Sequence, residues 1–194
     1  MKTGQPHNYT AISAAVAILT SLPLLTSCGG EKETTPPSDA SAANNSPLPT
    51  TLALGAAPED AISIVALKQQ HTPGDEVTFS ARVMGRTEVF VPGRAIMIVG
   101  DPNILTPCNE KPDDLCETPW DVCCDPPEDR RLGTLTVQVI DETGSVLPTD
   151  LRGFQGITEL SHLTITGTLA TGGGDAPWTV NATGIHVEPA DSSL

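Results

Sequence analysis

The sequence predicts an all-β domain: five strands closing into a barrel, with a cysteine-rich insert between the second and third. Three observations lead there. Apolar and polar residues alternate over short stretches, as they do where one face of a strand meets a core. Gly, Pro and Asp clusters separate those stretches at turn-like positions. No stretch within the domain sustains a long helical period.

The first strand is expected over residues 76–84, with Val77, Phe79, Ala81 and Val83 on one face, entered through Pro73-Gly74-Asp75. Residues 94–99 form the second, nearly all apolar and preceded by Pro92-Gly93. The third covers residues 132–141, with Leu135, Val137 and Val139 inward and Thr134, Thr136 and Gln138 outward, and ends at the turn Asp141-Glu142-Thr143-Gly144. In the fourth, Leu163, Ile165 and Leu169 share a face opposite His162, Thr164, Thr166 and Thr168. Glycines 172–174 and Asp175 turn the chain into a fifth strand over residues 178–187. Residues 148–158 are read as a short helix or turn, and residues 61–69 as either a sixth strand or one short helix.

Five such strands, with phrases such as PGDEVTFSARVMG, GRAIMIVGD and LTVQVIDETG, resemble the OB-fold. The resemblance covers roughly residues 75–188 and rests on strand pattern, without a diagnostic motif. A small sandwich of the immunoglobulin kind is the alternative, although it ordinarily has about seven strands. The OB resemblance implies ligand contacts on the outer face of strands two and three and in the adjoining loops. Here that face carries Arg94, Thr136 and Gln138.

Ahead of the domain, residues 10–25 are apolar or small, too few for a spanning helix but right for the middle of an export signal. Leu25-Thr26-Ser27-Cys28 follows, then Gly29-Gly30. This resembles the lipobox of bacterial lipoproteins. The resemblance implies cleavage before Cys28, a diacylglyceryl group on its sulfur and an acyl chain such as palmitate on its amine, since two or more chains anchor stably where one does not. It also implies a cell-envelope location. Gly29 in place of Asp points to the outer membrane, facing the periplasm or the surface. The expected organisation is a signal peptide over residues 1–27, a lipidated flexible tether over 28–58 and a β domain over 59–190, with the insert at 105–128. The tether is expected because its Pro, Ser, Thr, Ala and Asn cannot bury enough apolar surface to offset ordering. Asn-x-Ser/Thr triplets at Asn44 and Asn181 carry no meaning in a bacterial lipoprotein.

The insert holds Cys108, Cys116 and the neighbours Cys123 and Cys124. Four cysteines in an exported chain read as two disulfides. Three pairings are possible, and the strain of a bond between neighbours favours those joining Cys108 and Cys116 each to one of the pair. Trp120 is expected to cover the sulfurs. Zinc sites ordinarily space cysteines by two to four residues, whereas the gaps here are seven and six, so no metal is expected there. Calcium could use Asp113, Asp114, Glu117, Asp121 and Asp125, but there is no EF-hand loop.

The formal net charge of −14 and an aromatic content of 3% disfavour nucleic acid, and cleavage would remove only Lys2 among charged residues. His71, His162 and His186 form no ligand-like or catalytic pair, and there is no nucleophile elbow or phosphate loop. Asp141-Glu142-Thr143-Gly144 and the triple glycine are turns. The expected function is non-catalytic, without a cofactor: a binding or structural domain for an envelope protein or small ligand. A nucleic-acid-binding OB domain and a hydrolase of unrecognised type are the alternatives.

Overall fold

The computed structural model describes residues 47–189 except 113 and 114. The signal peptide, Cys28, most of the tether, and Asp113 and Asp114 lie outside the described residues. The structure is mostly β: strands β1 (Glu76–Arg82), β2 (Ile96–Gly100), β3 (Thr134–Gln138), β4 (His162–Gly173) and β5 (Ala176–Val187), with two short helices, α1 (Ile64–Gln70) and α2 (Pro127–Gly133). All five strands belong to one mixed sheet.

The pairings run in a ring. β1 lies antiparallel to β4 from Glu76↔Thr168 to Arg82↔His162, and meets β2 at Arg82↔Gly100. β2 and β3 are antiparallel from Ile96↔Gln138 to Gly100↔Thr134. β3 then runs parallel to β5, from Thr136↔Thr179 to Gln138↔Asn181, and β5 returns to β4 as a long bulged hairpin. The order β1-β2-β3-β5-β4 therefore closes on itself.

Alternation sets which residues fill the interior. Val77, Phe79, Ala81 and Val83 from β1 and its end, Leu135, Val137 and Val139 from β3 and just beyond it, and Leu163, Ile165 and Leu169 from β4 are all buried, as the period of two requires. Thr164 departs from the pattern: it points away from Leu163 and Ile165 yet is buried.

The irregular segments fall differently from the sequence expectation. Ile62 bridges Phe79 in parallel, and the chain then turns into α1, capped by Ser63 Oγ accepting from Ala66 N at 3.1 Å. Both readings of residues 61–69 were thus partly right. Leu132 and Gly133, expected to begin the third strand, end α2 instead. That helix has the signature of one: Pro127 at its first position, Glu128 and Asp129 in the first turn, Arg130 and Arg131 in the last, each charge matched to the helix dipole. The segment 148–158 holds only one 3-10 turn, Phe154–Gly156. The end of the expected tether is packed: Leu52 is buried in the core, and Leu54 N donates to Ile185 O at 2.9 Å beside β5. One apolar side chain with a place on the sheet is enough to bind that segment.

Candidate functional site

A groove of about 1110 Å³ lies across the outer face of β2 and β3. Ile98 and the threonines Thr134 and Thr136 form its floor. One wall is α1, through Val65, Lys68 and Gln69. Another is the end of α2, through Arg130, Arg131 and Leu132. The loop after β1, with Arg86, Thr87 and Glu88, and the β4–β5 turn, ending in Trp178, complete it.

The groove gathers positive charge in an acidic protein. Lys68, Arg86, Arg130 and Arg131 line it, together with the acids Glu88, Asp121 and Asp175. The ion pairs among the described residues are His71–Asp75, Arg82–Glu110, Lys111–Asp125 and Arg152–Glu159, so these four cations lie outside all of them. Asp121 is partly satisfied, its carboxylate accepting from Thr87 Oγ1 at 3.0 Å and from Val122 N. Arg130 Nε is buried and has no acceptor among the described residues.

Lys68 holds the walls together. Its Nζ donates to Arg131 O at 2.9 Å and to Thr134 O at 2.7 Å, and lies 5.7 Å from the centroid of the Trp178 ring. Burial, reinforced by the neighbouring Arg131 charge, lowers its pKa to about 8. The indole rests on the backbone of Gly172, where an added Cβ would lie 2.3 Å from Trp178 Cε3. Only glycine permits that approach.

Of the contacts expected from the sequence, Thr136 lies in the groove. Gln138 is occupied, its Nε2 donating to Asn181 Oδ1 at 2.8 Å, and neither it nor Arg94 lines the groove. Arg94 instead belongs to the turn ahead of β2, its amide bonded to Val91 O. The residues missed are Lys68, Arg86, Arg130, Arg131 and Trp178. A cue for two of them was present, because Pro-Glu-Asp-Arg-Arg reads as the start of a helix that ends in cations.

The insert packs beside the groove, and Cys123 touches both. Trp120 Nε1 donates to Thr87 O at 2.9 Å, and Gly85 N donates to Trp120 O at 3.1 Å. Rather than covering the sulfurs, Trp120 packs against the main core and a smaller cluster of Met84, Leu105 and Val122. Asp125 accepts from Thr106 N and from the Lys111 ammonium, and is thereby committed to the loop itself. None of the four cysteines is joined in a disulfide. Cys108 is buried, and its sulfur lies 3.7 Å from that of Cys123, which is 3.9 Å from that of Cys124. Cys116 Sγ lies 3.2 Å from Thr118 Oγ1, a contact that holds its thiol below the usual range, whereas burial pushes Cys108 up. The fold thus brings together the residues of the expected disulfide framework without bonding them.

His162 is exposed, and His186 Nδ1 lies 3.2 Å from Leu54 O; neither lines the groove. His71 pairs with Asp75 four residues on. Among the described residues no helix is long and apolar enough to cross a membrane. Comparison of the chain with protein families, with curated proteins and with solved structures finds no match in any of the three.

Proposed function

We propose that this chain is a lipid-anchored protein of the bacterial envelope whose OB-like barrel binds an anionic ligand in the groove over β2 and β3. The groove carries the reading. Four cations outside every ion pair among the described residues, one with a buried N–H that has no acceptor among them, and an indole meet on one face of a protein whose formal net charge is −14. Concentrating cations where the rest of the surface repels anions focuses attraction at one place. An anion's oxygen would give Arg130 Nε the acceptor it lacks, and charge-assisted bonds of this kind are the stronger ones. Strand order, the parallel β3–β5 contact and the groove's position on strands two and three support the OB-like reading. The lipobox-like Leu25-Thr26-Ser27-Cys28 supports the anchor.

A nucleic-acid strand is the second reading, favoured by Trp178 as a stacking surface within a basic groove. Overall acidity weighs against it, since most of the surface would repel a long phosphate chain.

The test uses the full-length chain in detergent, titrated with inorganic phosphate, an oligouronate and oligothymidylate. Saturable binding of at least one probe is expected, weakened tenfold or more by Arg130→Gln with Arg131→Gln and falling with added salt. No binding, or binding indifferent to both substitutions, refutes the groove. For the anchor, the native N-terminal peptide is expected to begin at Cys28 with acyl mass attached, and Cys28→Ser is expected to leave unprocessed precursor or soluble protein. A native N-terminus elsewhere, without lipid, refutes that part alone.

A further inference from the structure

The cysteine insert holds sulfurs at separations that suit a shared metal ion. A disulfide places its sulfurs about 2.05 Å apart. Four thiolates around zinc, each about 2.3 Å from the ion, form a tetrahedron whose edges are about 3.8 Å. The sulfurs of Cys108 and Cys123 are 3.7 Å apart and those of Cys123 and Cys124 are 3.9 Å apart. The sulfurs of Cys108, Cys123 and Cys124 all lie within 4.8 Å of one another. Cys116 lies outside that group of three but close enough for Cys108 and Cys123 to perturb its thiol, and its sulfur is 3.2 Å from Thr118 Oγ1.

From the convergence of three sulfurs we infer that Cys108, Cys123 and Cys124 bind one zinc(II) ion, which draws in the neighbouring Cys116 as the fourth thiolate of a tetrahedron. The site is independent of any ligand in the groove. Sequence spacing argues against it only if the ligands sit on short turns. Here backbone bonds do the work of spacing, with Cys108 N donating to Asp121 O at 2.8 Å and Asn109 N to Pro119 O at 3.0 Å. These clamp the Cys108 turn to the stretch leading into Cys123. Thr118 Oγ1, 3.2 Å from Cys116 Sγ, is placed to donate to the thiolate as an outer partner. Lys111, held by Asp125, faces Cys108 and Cys124 and offsets part of the cluster's negative charge. Tetrahedral thiolate surroundings suit zinc or iron; zinc has no redox chemistry and so suits the oxidising compartment expected for an exported chain. An ion would also add cohesion to the insert, whose buried apolar side chains Leu105 and Val122 share one small cluster with Met84 and Trp120.

The test is the metal content and thiol state of full-length protein extracted from its envelope in detergent, with no metal or reductant added. The expected result is one zinc per chain, with the four thiols reacting with a thiol reagent only after a chelator removes the metal. Cys123→Ser is expected to abolish stoichiometric zinc, and Cys28→Ser to leave it unchanged. Thr118→Ala, which removes no ligand, is expected to keep one zinc but bind it 10–100-fold more weakly. That variant keeps the proposal testable if Cys123→Ser fails to fold. Metal-free protein four hydrogens lighter than its reduced form, which means two disulfides, overturns the proposal. So do metal-free protein with four reactive thiols, and iron in place of zinc.

Discussion

The ammonium of Lys68 donates to the carbonyls of Arg131 and Thr134 beside the Trp178 ring, in surroundings that disfavour its charge. Its folded pKa of about 8 lies below the ordinary 10.5, so between those values the unfolded chain binds the proton more tightly. Stability from this group therefore rises with pH across that window, while below about pH 8 the buried charge is a standing cost. Affinity for an anion moves the other way. Raising the pH through about 8 is expected to weaken binding about tenfold, roughly 1.4 kcal/mol, as the charge is lost. Calorimetric titration at pH 6.5, 8 and 9.5 checks this. Lys68→Arg is expected to remove the pH step and keep the affinity, and Lys68→Met to bind weakly throughout. An unchanged step in Lys68→Met assigns the titration to another group. Asp101 shows what sequence does not display at this scale. It follows an apolar strand like any turn aspartate, yet it is fully buried, accepting from Val65 N at 3.1 Å and from the Asn103 amide and side chain. Only the tertiary meeting of β2 with the start of α1 makes that carboxylate interior.

Among the elements, the strands were legible because a period of two is a local pattern that one buried face enforces. Phe79 and Ile165, paired across β1 and β4, were placed correctly from alternation alone. The helices were less legible, α1 being left open between strand and helix and α2 unexpected, because seven residues give too few turns for a helical period to stand out. Leu132 and Gly133 were read as the start of the third strand because they lead directly into its alternating residues, although the charges at the two ends of residues 127–133 fit a helix. The β4–β5 hairpin carries the aromatic wall of the groove, and the seat of its indole depends on a glycine. Gly172→Ala is expected to leave the circular dichroism unchanged while pushing the indole of Trp178 off the backbone. In a Trp120→Phe background, which leaves a single tryptophan, this appears as a shift of emission to longer wavelength with a loss of probe affinity of about tenfold, within the range for one stacked aromatic. Unchanged emission and affinity mean that Trp178 is not part of the site.

For the whole molecule, the charge of −14 describes the average surface and conceals the groove. Lys68, Arg86 and the neighbours Arg130 and Arg131 come from three distant parts of the sequence, so no single basic run announced the cluster. They converge because α1, the loop after β1 and α2 all end at the same face of the sheet. Of the contacts expected at Arg94, Thr136 and Gln138, only Thr136 lines the groove, because strand alternation identifies an outer surface without saying which loops wall it. The cysteines follow the same logic: their chemistry was visible as a count of four, and their geometry only once the backbone of the insert was folded. The central claim, that the groove over β2 and β3 holds an anionic ligand, is tested most directly by hydrogen exchange of the full-length chain with and without a saturating anionic probe. Exchange is expected to slow in residues 85–88, 127–133 and 173–177, with the remaining surface unchanged. Slowing confined to other surfaces, such as the 148–158 loop, or no change under saturating probe, would contradict it.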